Sequence, residues 1–129
     1  MLAIAVLVTA GCTSAPRDLT PALQGVWGGR HIGLTVGTMD SDVQFDCAEG
    51  TIIGPYAVEA DGRFSWAGTY TRGTGGPVRI DQQPASKPAT YVGTTRGGSM
   101  TLSVDLGDGQ RIGPFALERF REPNLTRCL

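Results

Sequence analysis

His31 is the one histidine of this 129-residue chain, so acid–base chemistry near neutral pH has a single imidazole to draw on. Ile32, Leu34 and Val36 alternate after it, which puts His31 on the opposite, outer side of any sheet those residues build. Asp46 or Glu49, on a following strand, could face it. The expectation is a rim histidine hydrogen-bonded to a carboxylate. No serine stands in a nucleophile-elbow pattern. No phosphate loop, paired metal motif or dinucleotide fingerprint is present. Gly73–Arg79, "GTGGPVR", is glycine-rich but leads into Pro-Val-Arg, not a helix whose N-terminus could hold phosphate. It reads as a loop, with Arg72 and Arg79 joining His31 and Asp46 in a candidate polar rim. Cys47 would have only His31 as a nitrogen co-ligand, so no metal site is expected. No catalytic residue and no cofactor are assigned, and the chain reads as non-enzymatic.

Phe64, Trp66 and Tyr70 share one strand parity and form an aromatic stripe. With Trp27 they are the candidate ligand-binding residues; the alternative is a packed core. Net charge is −1, from 11 basic and 12 acidic residues, which leaves no clustered basic excess for nucleic acid.

These residues need strands to hold them. Glycine accounts for 19 of 129 residues, about twice the usual share of roughly 7%, and Gly and Pro punctuate the whole chain. That excludes long helices and suits short strands joined by tight turns. Strand candidates run over Trp27–Val36, Val43–Cys47, Ile52–Glu59, Phe64–Thr71, Val78–Asp81, Tyr91–Thr95, Met100–Leu106 and Ile112–Arg119. In the first, Trp27 has the wrong parity, and Gly28-Gly29 could supply a bulge that returns it to the inner face. The pattern predicts an all-β domain, a single small up-and-down antiparallel barrel of about eight strands. Such a barrel is just filled by its own side chains or holds one small ligand; strands this short favour the filled form.

One phrase occurs twice. "FDCAEGTIIGPYAVE" from Phe45 aligns without gaps to "VDLGDGQRIGPFALE" from Val104. The shared residues are turn-formers and hydrophobes, so the repeat predicts two equivalent hairpins, each bent at Gly-Pro and anchored by the aromatic that follows.

The N-terminal "MLAIAVLVTAGC" is too short to span a bilayer, which takes about 20 residues, but fits the apolar region of a signal peptide. Thr9-Ala10-Gly11-Cys12 resembles a bacterial lipobox, with Thr9 where that family usually has Leu and no basic residue before the apolar run. The resemblance implies cleavage before Cys12 and lipidation of Cys12. Segments 1–11, 12–24 and 25–129 then read as signal peptide, tether and barrel domain. The implied location is the bacterial cell envelope, on the outer membrane facing the periplasm in a Gram-negative cell, with the membrane itself a partner through the anchor. Export brings oxidising conditions. With Cys12 set aside, Cys47 and Cys128 remain for one disulfide. It would close a loop of about 80 residues, worth roughly 4.5 kcal/mol in the chain-entropy model.

Gly25-Val26-Trp27 resembles the Gly-x-Trp motif that opens the first strand of lipocalins and other calycins. That resemblance implies a Trp packed at the closed end of the barrel, with an Arg of the last strand across it, here Arg119 or Arg121. The chain lacks the C-terminal helix of true lipocalins. Together these readings imply a lipid-anchored envelope protein that binds a protein partner or a small apolar ligand. Inhibition of a lysozyme or protease, or a structural role without ligand, are the alternatives.

Overall fold

The computed structural model describes residues 16–73 and 86–126. In chain order these form β1 (Arg17–Asp18), α1 (Thr20–Leu23), β2 (Gly25–Gly29), β3 (Ile32–Val36), β4 (Asp40–Phe45), β5 (Ala48–Ile53), β6 (Ala57–Val58), β7 (Arg63–Arg72), β8 (Ser86–Arg96), β9 (Ser99–Asp105) and β10 (Arg111–Arg119). Eight of the strands, β2–β5 and β7–β10, close into an antiparallel barrel in which each pairs with the next and β10 returns to β2. The expected up-and-down barrel is therefore the fold, and closure removes the free sheet edges that would pair with other chains.

Alternation builds the interior. In β4, Ser41, Val43 and Phe45 are buried while Asp40, Asp42 and Gln44 are exposed. In β9, Met100, Leu102 and Val104 point inward. The apolar side of this barrel thus faces in, the reverse of a barrel that spans a bilayer.

Two strand assignments need correction. Trp27–Val36 is two strands, not one. The chain turns at Arg30-His31, and β2 and β3 pair in unbroken register from Gly25–Val36 to Gly29–Ile32. Trp27 lies opposite Leu34, so the turn, and not a bulge, restores its parity. Ile52–Glu59 is also divided: β5 ends at Ile53, and β6 leaves the barrel to pair with β1, Arg17 against Val58 and Asp18 against Ala57. The strand expected at Val78–Asp81 lies outside the described residues.

The domain also begins before Gly25. Arg17–Leu23, read as tether, makes β1 and α1, and Thr20 and Leu23 are buried. The Asp18 carboxylate accepts the Thr20 hydroxyl and, at 2.9 Å, the Thr20 backbone N–H. Those bonds hold its carboxyl below the usual carboxylate range. α1, β1 and β6 lie at the end of the barrel where β2 begins.

The repeated phrase occupies hairpins β4–β5 and β9–β10, four strand positions apart in an eight-strand ring. Both Gly-Pro bonds, Gly54–Pro55 and Gly113–Pro114, are cis. The copies differ on either side of this bond. β10 continues through it with a register shift between Ile112 and Phe115, whereas β5 stops. The acid-Gly pair is a turn only in the second copy; Glu49-Gly50 sits inside β5.

After β10 the chain reverses at Phe120, which adopts φ 61, and runs back over β2 and β3. Asn124 bridges Arg30 in parallel, accepting from the His31 N–H at 2.8 Å and donating to Gly29 at 3.0 Å. Gly28 and Gly33 are cross-strand partners beneath this tail. A Cβ on Gly28 would come within 2.2 Å of the Arg121 carbonyl oxygen, and one on Gly33 within 2.7 Å of Pro123. Two missing side chains make the trough that seats the tail.

Candidate functional site

Trp27, Phe64, Trp66 and Tyr70 come together inside the barrel, all under one-tenth exposed. Phe64 and Trp66 stack with centroids 3.8 Å apart, Tyr56 meets Trp66 edge-on at 5.2 Å, and Phe45 packs between Tyr70 and Phe115 at 5.5 and 5.4 Å. Their polar handles turn to the protein. Trp27 Nε1–H donates to the Leu23 carbonyl at 2.9 Å and Trp66 Nε1–H to the Ala57 carbonyl at 2.9 Å. Tyr91, fully buried, donates its hydroxyl to the Thr69 carbonyl at 2.6 Å, and burial pushes its phenol pKa upward. Tyr56 accepts from Ser41, and burial raises its phenol too. A ligand cage keeps donors aimed into a void; these aromatics are spent on one another and on backbone carbonyls.

Arg119 is the residue that meets Trp27. Its guanidinium carbon lies 5.9 Å from the indole centroid and 4.8 Å from the Phe120 ring, and Nη2 donates to the Gln24 carbonyl at 2.8 Å. Arg121 instead pairs with Glu118 at 3.1 Å. Trp27 and Arg119 together pin the C-terminal carbonyls of α1, which a helix end leaves unpaired.

At the other end, His31 Nδ1 lies 2.6 Å from Asp46 Oδ2. The remaining Asp46 oxygen accepts the Thr126 backbone N–H at 2.7 Å. Turn, loop and tail are clasped by one carboxylate. Glu49 takes no part: it lies on the outer face of β5, opposite Gln44 and Thr71. Arg72 is exposed at the end of β7 beside Ala48. Arg79, Cys12 and Cys128 lie outside the described residues. Among the described residues no three His, Cys, Asp or Glu side chains gather as a metal site, and no helix is long and apolar enough to cross a membrane, which says nothing of strands.

Reading the sequence missed Tyr56, Ser41 and Tyr91 as the buried polar pairs of the core. Ser41 carries a usable signal: it sits at an inward position between exposed Asp40 and Asp42, where a hydroxyl needs a partner. No known protein family, curated protein or solved structure matches this chain.

Proposed function

We propose that this chain is an exported, lipid-anchored, non-enzymatic β-barrel that meets a protein partner in the cell envelope through its outer surface. The observation that carries the choice of surface over interior is the packing of Trp27, Tyr56, Phe64, Trp66, Tyr70 and Tyr91 inside the barrel. A small apolar ligand would have to displace stacked rings whose donors are already bonded. The address comes from the lipobox-like Thr9–Cys12 and places the anchor on Cys12, with the protein on the outer membrane facing the periplasm in a Gram-negative cell. The calycin-like reading gains support from Arg119 over Trp27. The Cys47–Cys128 disulfide gains support from Thr126, held to Asp46, the residue before Cys47.

Palmitate labelling in a bacterial host tests the anchor. The full chain should take label and fractionate with membranes, and Cys12→Ser should lose both. Label retained by Cys12→Ser would refute lipidation there. Titration against lysozymes and proteases addresses the inhibitor alternative; inhibition at micromolar protein would replace the partner reading with that one.

A further inference from the structure

Four large apolar side chains are exposed among the described residues: Val26 at 42%, Met39 at 79%, Ile53 at 60% and Phe120 at 78%. Single exposed hydrophobes are ordinary; their placement here is not scattered. Phe120 follows β10, and its N–H donates to the Val26 carbonyl of β2 at 2.7 Å. Met39 leads into β4, and its carbonyl accepts from Gly54 N–H at 2.9 Å, next to Ile53 at the end of β5. Asp40 and Ile53 are register partners. Strands β10, β2, β3, β4 and β5 are successive in the barrel, so all four side chains line one arc at one end. This is the end that carries α1 and β1, where the N-terminal segment enters. The opposite end presents His31, Asp46 and Arg72.

We infer that this apolar arc is a membrane-contact face, resting on lipid when Cys12 is acylated; the inference rests on the lipoprotein reading. Arg17 is the first residue of β1, and the chain from Cys12 to Arg17 can reach at most about 18 Å. An anchor on Cys12 therefore keeps this end, and not the His31 end, against the bilayer. Charges at this end are mixed, Arg17 and Arg96 against Asp40 and Glu59, so apolar burial holds the contact and it should persist in high salt.

The test uses the mature protein purified from bacterial membranes, with acylation of Cys12 read by intact mass. Phe120→Trp, Met39→Trp and, at the opposite end, Gln110→Trp are placed in vesicles of phosphatidylethanolamine and phosphatidylglycerol with or without brominated chains. A side chain seated about 5–10 Å into the interface lies within reach of the bromines, so emission above the Trp27 and Trp66 background should fall about two-fold at 120 and 39 and stay unchanged at 110. Absence of quenching at 120 and 39 on acylated protein overturns the contact face while leaving the lipoprotein reading standing, as does equal quenching at all three. A mass without acyl on Cys12 overturns the lipoprotein reading and the inference with it. A dimer in detergent that Phe120→Glu dissociates assigns the arc to a second copy instead.

Discussion

The Arg119 guanidinium lies between two aromatic rings, 5.9 Å from Trp27 and 4.8 Å from Phe120, while it donates to the Gln24 carbonyl. One side chain thus ties β10, β2 and α1 together at the end of the barrel that carries α1. Arg119→Ala removes a cation–π contact worth about 0.5–2 kcal/mol and frees a carbonyl beside a buried indole. The expected loss is about 2 kcal/mol, or a Tm lower by roughly 8–16 °C. Arg119→Lys keeps the charge but not the planar fork and should recover less than half of it. Thermal unfolding of the two variants checks this; an unchanged Tm in Arg119→Ala would remove Arg119 from the stability of that end.

The trough over Gly28 and Gly33 predicts a specific defect. Gly33→Ala must push Pro123 aside, since the new methyl would lie 2.7 Å from it. The cost should be about 1–3 kcal/mol, the range for overpacking. Faster amide exchange should appear at His31 and Asn124, whose N–H groups bond within the tail contact. Gly97→Ala, where the space around the turn is open but φ is 58, should leave the exchange of His31 and Asn124 untouched.

Several features of this fold could be read in advance because they are local. Met100–Val104 alternates cleanly, and β9 follows it. The two departures are long-range in origin. At Arg30-His31 the turn places His31, not Gly or Asn, at φ 68, so the usual residue signal for a tight turn is missing; the Asn124 carbonyl and the Asp46 carboxylate hold it instead. At Gly54-Pro55 and Gly113-Pro114 the local sequence is the same and the outcome differs. Tyr56 drops into the core, where Ser41 donates to its hydroxyl, and takes β6 out of the barrel. Phe115 has no hydroxyl to satisfy, and β10 runs on to pair with Leu102. The aromatic stripe was legible as a stripe; whether it lined a void depended on Tyr56 and Phe45 arriving from other strands.

The disulfide can be weighed. Intact mass of protein lacking Cys12, with and without reductant and alkylation, should show two thiols only after reduction. Loss of the bond in Cys47→Ser/Cys128→Ser should cost about 2–5 kcal/mol. Equal alkylation before and after reduction would mean that the two cysteines are not joined.

Alkaline titration reports on the buried phenols of Tyr56 and Tyr91. Burial raises the pKa of Tyr91 and Tyr56 in the folded chain above the ordinary value of 10.0. A group whose folded pKa is raised contributes stability that is full below its unfolded pKa and is lost as pH climbs toward the folded one. Stability should therefore hold to about pH 10 and fall above it. Absorbance near the phenolate band should rise in step with unfolding, and Tyr91→Phe should lessen the alkaline loss. Phenolate formation by both residues in the folded chain at pH 10 would contradict their burial.

The aromatic packing inside the barrel is what separates this account from that of a ligand carrier, and titration of the folded protein with an apolar fluorescent probe such as N-phenyl-1-naphthylamine tests it most directly. With Phe64 stacked on Trp66 and Tyr56 edge-on to Trp66 inside the barrel, no saturable enhancement is predicted at micromolar probe. Saturable one-site binding that Trp66→Ala changes would place a ligand inside the barrel and contradict the account.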